Sequence, residues 1–201
     1  MHRQPLSHIL CTSSQFVVTA SSDGIIKFWR KAQTGIEFVK TFRAHVGAIR
    51  GLAATSDGSL LASSGADNGL KVFDVLSFDM IAWMKLDFTP GPCEWVGGGA
   101  KGGEHSLSSL RTLLAVADAD SADVRLLDAA AGEAKPLHVA RVHSAPVRCL
   151  KFWPAHGAVV SADSRGLIEY WSVEPPFGLP KSAAFQYKTD TDLYALAKAR
   201  A

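Results

Sequence analysis

Four stretches of this chain end alike: DGIIKFWR at Arg30, NGLKVFDV at Val75, ADVRLLDA at Ala129 and RGLIEYWS at Ser172. Their anchors, Trp29, Phe73, Leu127 and Trp171, recur at steps of 44, 54 and 44 residues. A repeat of this period narrows the possible folds sharply. Each unit is one supersecondary block that cannot bury its own apolar faces, so neighbouring units must stack. The long step carries about ten extra residues, visible as GGGAKGGEHSLSS over 97–109, which reads as a Gly/Ser-rich surface insertion.

Within a unit the pattern is that of strands. The second unit runs AIRGLAAT, Asp57-Gly58, SLLASSGA, Asn68-Gly69, LKVFDV and then DMIAWMKL. Asp-Gly and Asn-Gly between β-rich runs signal two-residue hairpins, in which both turn residues need positive φ. Asp23-Gly24 occupies the later turn of the first unit. The second strands, FVVTASS and LLASSGA, are nearly continuous apolar and small runs, as suits strands covered on both faces. The expected fold is all-β: a WD-repeat β-propeller with four four-stranded blades at about 1–43, 44–87, 88–142 and 143–188. TDTDLYALAKARA, from Thr189, reads as a short capped helix over 189–201 leading towards a next blade. WD-type rings usually hold about seven blades within a range of 4–8. The four units are therefore expected to be part of a longer ring, and alone they would leave two blade faces uncovered.

A polar set recurs inside the blades. His45 precedes Ser63 by 18 residues, His143 precedes Ser161 by 18, and His2 precedes Thr19 by 17. Asp23 and Asp67 each follow their hydroxyl residue by four. In WD-type repeats such residues form a buried chain in which indole donates to hydroxyl, hydroxyl to imidazole and imidazole to carboxylate. The first blade holds the full set, His2, Thr19, Asp23 and Trp29. The second has His45, Ser63 and Asp67 but Phe73 in the indole position. The fourth has His143, Ser161 and Trp171, with Arg165 where the acid is expected and Asp163 two residues early. The third lacks the His.

Beyond the repeat, MHRQPLSHILCT, SSDGIIKFWRK, GIEFVKTFRAH, KVFDVLSFDMI, PGPCEW, GLIEYW and YKTDTDLYALAK closely resemble the propeller of the nuclear peptidylprolyl isomerase domain and WD-repeat-containing proteins, a family of spliceosome-associated cyclophilins. The resemblance covers nearly the whole chain and is weakest over 97–133. It implies a nuclear location, spliceosomal protein partners and a role in pre-mRNA splicing. In that family the isomerase activity belongs to a C-terminal cyclophilin domain, whose sequence is not among these residues.

GGGAKG over 97–102, with Asp118 or Asp120 about 20 residues on, matches GxGxxG formally but lacks the strand-to-helix setting of a dinucleotide site. Recurrent His, Ser and Asp argue for a fold device, since catalysis needs one set and a fold needs one per blade. His138 and His143 have no Cys or third His beside them to complete a metal site. Trp83, Trp95 and Trp153 are expected in the core. Lys27, Arg30 and Lys31 are expected on a solvent-facing strand edge, where an RNA contact is conceivable but not indicated. A ubiquitin-ligase adaptor is disfavoured, because no unit ends in Trp-Asp-x-Arg. Net charge is only +2, against a dedicated nucleic-acid binder. Cys11, Cys93 and Cys149 are odd in number and far apart, which fits a reducing compartment. No apolar run reaches the roughly 20 residues of a membrane helix. The expectation is a non-catalytic interaction scaffold without catalytic residue, cofactor, metal, membrane or small-molecule partner. The alternative is an isomerase acting through its separate domain.

Overall fold

The computed structural model describes residues 1–97, 112–175, 177 and 187–188. Among them, sixteen strands form four four-stranded antiparallel sheets, each a meander in chain order and each one propeller blade. Blade one comprises β1 (Leu6–Cys11), β2 (Phe16–Ser21), β3 (Ile25–Ala32) and β4 (Gly35–Arg43). Blade two comprises β5 (Ile49–Ala54), β6 (Leu60–Gly65), β7 (Gly69–Asp74) and β8 (Asp79–Lys85). Blade three comprises β9 (Pro90–Trp95), β10 (Leu113–Asp118), β11 (Val124–Asp128) and β12 (His138–Ala140). Blade four comprises β13 (Val147–Trp153), β14 (Ala158–Asp163), β15 (Leu167–Ser172) and β16 (Tyr187–Lys188). The chain divides into two compact units, Met1–Cys93 and Glu94–Ala201. The insertion expected over 97–109, beyond Gly97, and the helix expected over 189–201 lie outside the described residues.

The turns differ from the two-residue hairpins that Asp-Gly and Asn-Gly suggest. Between β2 and β3, Gly24 N–H bonds Ser21 O at 3.1 Å, and between β6 and β7, Asn68 N–H bonds Gly65 O at 3.2 Å. Blade four repeats this with Gly166 N–H on Asp163 O at 3.1 Å. These are three-residue loops, a turn followed by one left-handed residue. That residue is Gly24 (φ 84), Asn68 (φ 56) or Gly166 (φ 82), whereas the expected partner positions Asp23 and Gly69 are not left-handed. Asp57-Gly58 likewise has only its glycine at positive φ. The aspartate is freed to use its carboxylate as a hydrogen-bond acceptor.

Within each unit the blades stack through unlike faces. Side chains alternate across a strand, so β2 and β3 send Val18, Ala20, Ile26 and Phe28 to one side, all fully buried. They form one cluster with Leu61 and Phe73 of blade two, flanked by Leu52 and Ala54. Burying a side chain such as Phe73 contributes about 1.5–3 kcal/mol. Blades three and four repeat the arrangement, with Leu113, Ala115, Ala117 and Leu126 against Val159 and Trp171. Second strands are accordingly the most enclosed; every residue of β10 is buried.

Candidate functional site

In blade one the polar set forms a directed chain. Trp29 Nε1–H donates to Thr19 Oγ1 at 2.8 Å. Thr19 lies 2.8 Å from His2 Nε2, and His2 Nδ1 lies 2.8 Å from Ser21 Oγ. Ser21 O–H donates to Asp23 Oδ1 at 2.6 Å. Since Ser21 spends its proton on the carboxylate, His2 must donate from Nδ1 and accept from Thr19 at Nε2. The direct imidazole–carboxylate contact expected between His2 and Asp23 is absent, because Ser21 stands between them as a relay.

Blade two shortens the chain. His45 Nδ1 lies 2.8 Å from Asp67 Oδ1, and its Nε2 lies 2.9 Å from Ser63 Oγ. Asp67 also accepts from Val46 N–H at 3.0 Å and Gly69 N–H at 3.1 Å. Gly65 occupies the place that Ser21 holds in blade one, two residues after the hydroxyl. A Cβ there would lie 2.3 Å from His45 Nδ1. The ring thus fills the space of a missing side chain and reaches the aspartate itself. Phe73 is buried and has no donor to offer Ser63.

Blade four solves the same problem a third way. Trp171 Nε1–H donates to Ser161 Oγ at 3.0 Å, Ser161 lies 2.7 Å from His143 Nε2, and His143 Nδ1 lies 3.3 Å from Asp163 Oδ2. Asp163 also accepts from Arg165 N–H at 2.8 Å and Leu167 N–H at 3.0 Å. It is the functional acid of this blade, although four-residue spacing points to Arg165. The position two residues after the hydroxyl therefore decides the wiring: serine relays, glycine steps aside, and aspartate takes the bond itself.

Blade three has lost the set. The register Leu114↔Leu127 and Val116↔Arg125 puts Val116 where the other blades carry a hydroxyl. Asp118, on the position of Ser21 and Asp163, lies 3.7 Å from Arg125 Nη1 instead. It also accepts from Asp120 N–H at 3.0 Å, so both acids considered for a nucleotide site belong to one hairpin.

Burial sets the charge state of these groups. It pushes His45 and His143 below the ordinary imidazole range, outweighing the neighbouring Asp67 and Asp163. Burial, with Lys27 beside it, lowers His2. The hydrogen bond from Ser21 holds Asp23 low. Asp67 is pushed up by burial but carried below its usual value by the bonds from Val46 and His45. In blade two the favoured state is a neutral His45 imidazole donating to an ionised Asp67. His45 and Ser63 have the contacts of a hydrolytic triad, yet they are 1% and 0% exposed, and no substrate atom can reach them.

The other singled-out residues are dispersed. Trp95 is buried, but Trp83 and Trp153, both expected in the core, are 61% and 49% exposed. Trp83 sits on the outer strand β8 with Lys71 Nζ 5.8 Å from its ring centre. Trp153 closes β13 and packs edge-on against His156. Lys27, Arg30 and Lys31 lie on β3, an interior strand between β2 and β4, rather than on an edge. Lys27 Nζ donates to Met1 O at 2.8 Å, beside an open cleft of about 300 Å³ lined by His2, Arg3, Asp23 and Thr41. His138 stacks on Phe177 at 3.8 Å between ring centres, apart from His143. Among the described residues no group of three His, Cys, Asp or Glu is placed to hold a metal ion.

Comparison with known proteins agrees with this architecture. The family described as WD domain, G-beta repeat matches residues 2–30 and 36–74, in blades one and two. The chain is 41% identical over 203 residues to "Peptidylprolyl isomerase domain and WD repeat-containing protein 1" of Homo sapiens, covering 100% of this chain and 30% of the relative. It is 39% identical over 199 residues to "Peptidyl-prolyl cis-trans isomerase cyp15" of Rhizopus delemar, covering 98% of this chain and 30% of that protein. For "Peptidyl-prolyl cis-trans isomerase CYP71" of Arabidopsis thaliana the identity is 34% over 200 residues, 100% of this chain and 30% of the relative. The chain thus spans about 30% of the length of these relatives. The match falls in their WD-repeat part, outside the isomerase domain.

Proposed function

Starting from a WD-repeat chain homologous throughout its length to the N-terminal WD part of isomerase-domain WD proteins, we propose that it is a non-catalytic interaction scaffold acting with spliceosomal proteins in the nucleus. One observation carries the non-catalytic reading. The residues with catalytic chemistry point inward and are used up holding strands together: Ser63 and Ser161 are fully buried, and Ser161 already receives the Trp171 indole proton. What the blades present outward is binding chemistry, including Trp83 and Trp153, with aromatic faces suited to protein contacts. WD repeats generally mediate protein–protein interactions. The nuclear, splicing-associated setting is supported by the resemblance to the isomerase-domain family and would be exercised without the isomerase domain itself.

The test is affinity capture from nuclear extract with the purified chain, read by quantitative mass spectrometry, beside a proline-isomerisation assay. Spliceosomal proteins should be enriched over an unrelated WD protein, and the chain should not accelerate isomerisation. Enrichment of ligase subunits alone, or cyclosporin-sensitive turnover, would overturn the proposal.

A further inference from the structure

Stacking in a ring covers the faces of a blade and leaves the outer edge of its sheet to solvent, however many blades the ring holds. Propellers ordinarily keep such edges short and protected. In blade two the edge is β8, which among the described residues pairs only with β7. It runs seven residues, against three for β12 of blade three. Met80, Ile81 and Trp83 on it are 49%, 55% and 61% exposed. Met80 pairs with Phe73 and Trp83 with Lys71, so both share the sheet face that Phe73 packs against blade one. All four strands of blade one are in place, so this exposure does not come from an absent neighbour. Edge strands commonly carry charge against pairing with another chain. Although β8 has a bulge at Ile81, it has no charge from Met80 to Met84.

The ladder fixes which backbone groups of this edge are free. In an antiparallel pair, residues alternate between bonding the partner opposite and turning away from it. Leu86 N–H bonds Asn68 O at 2.8 Å, and the register steps from there to Met84↔Leu70 and Ala82↔Val72. Met84 and Ala82 therefore bond β7, while Trp83 and Lys85 turn their N–H and C=O groups outward. Both of these residues also have exposed side chains. The charge beside them has one sign. Lys71 Nζ lies 5.8 Å from the Trp83 ring centre, and Lys85, two residues on, shares that face. Lys85 Nζ donates to a backbone carbonyl, Asp67 O, at 2.6 Å rather than to a carboxylate. The acid of β8, Asp79, stands at its other end, 4.0 Å from Lys40.

We infer that an extended acidic segment of a partner protein adds to blade two as a fifth strand along β8. Its backbone bonds the outward N–H and C=O groups of Trp83 and Lys85, which supplies affinity. An apolar side chain against Trp83 and carboxylates beside Lys71 and Lys85 supply specificity. Single-stranded RNA can also stack on a tryptophan between lysines, but it has no row of amides to match this edge. The inference rests on the scaffold reading above and adds where, and by what chemistry, a partner is held.

The probe is a fluorescent peptide, Thr-Glu-Thr-Val-Thr-Glu-Thr with blocked ends, which places Glu, Val and Glu on one face of a strand. Titrated with the full chain at low salt and read by anisotropy, it should bind. Trp83→Thr, the Lys71→Gln and Lys85→Gln pair, and exchange of the peptide's glutamates for lysine should each weaken binding at least about tenfold. Two measurements leave the chain unaltered, so a variant that folds poorly cannot decide the outcome. Methylating one alternate set of peptide amide nitrogens should abolish binding, and methylating the other set should preserve it. Saturating peptide should slow hydrogen exchange of the Trp83 and Lys85 amides at least about tenfold. No peptide binding, indifference to which amides are methylated, unchanged exchange at Trp83 and Lys85, or an oligouridine that binds through Trp83 where the peptide does not would overturn the inference. A chain that fails these tests yet enriches spliceosomal proteins would leave the scaffold reading standing.

Discussion

Gly65→Ala isolates the blade-two wiring from every other effect of a glycine. Gly65 is buried and does not have a positive φ, so alanine brings no backbone strain. Its Cβ would meet His45 at 2.3 Å from Nδ1, 2.4 Å from Cγ and 2.8 Å from Cβ, all closer than atoms tolerate. The ring must move, and it cannot do so while bonded to both Ser63 and Asp67. Overpacking costs about 1–3 kcal/mol, and each disrupted bond adds about 0.5–3 kcal/mol, the upper part applying to the carboxylate. The expected loss is about 3–5 kcal/mol, read as a fall in melting temperature of about 6–20 °C for a domain of this size. Urea titration of Gly65→Ala, His45→Ala and the double variant gives the decisive comparison. With the ring removed, the added methyl should cost little, leaving a large coupling between the two sites. A single-variant loss below about 1 kcal/mol, or an equal loss with and without the imidazole, would refute the steric argument.

Further outcomes follow from the same geometry. Trp29→Phe should cost about 1–3 kcal/mol because Thr19 loses its indole donor, and Asp23→Ala combined with it should cost less than the two singles together; full additivity in urea titration would show the chain is not connected. Asp163→Ala removes the acceptor of three bonds and should destabilise by more than about 2 kcal/mol, whereas Arg165→Ala should stay within about 0.5 kcal/mol; equal losses would restore Arg165's position as the functional one. Because burial lowers His2, His45 and His143 in the folded state, unfolding takes up protons once pH drops below the ordinary imidazole value of about 6.5. Stability should be level above that pH and fall as pH decreases towards the lower folded values; a urea midpoint that rises between pH 7.5 and pH 5 would have the wrong sign.

The repeat made the blades and their polar residues legible because anchor, hydroxyl and histidine keep fixed separations whenever the strands keep one register. The wiring was harder to read. Whether His2 meets Asp23 directly depends on the loop closing as a three-residue turn, and on Ser21, Gly65 or Asp163 filling the place two residues after the hydroxyl. None of these has a periodic signature. A signal did exist, since Asp163 stands out as an acid where the other blades carry Ser21 and Gly65. In blade three the missing His was legible, but the shifted register was not: its β10–β11 hairpin is one residue longer, which puts Val116 rather than Ala117 at the position where the other blades carry a hydroxyl. Trp83 and Trp153 read as core because their strands are apolar, but hydrophobicity does not say which strand forms a blade's rim or which face has a neighbour.

Long-range nitrogen–proton NMR of the imidazoles, followed from pH 8 to pH 5, addresses most directly whether the buried histidine sets hold the blades rather than perform chemistry. His45 and His143 should remain neutral below the ordinary imidazole pKa, with the proton on Nδ1 facing Asp67 and Asp163 and exchanging slowly with water. Rings that titrate near the ordinary value with freely exchanging protons would mean that solvent, and hence substrate, reaches them, and the structural reading of these residues would fail.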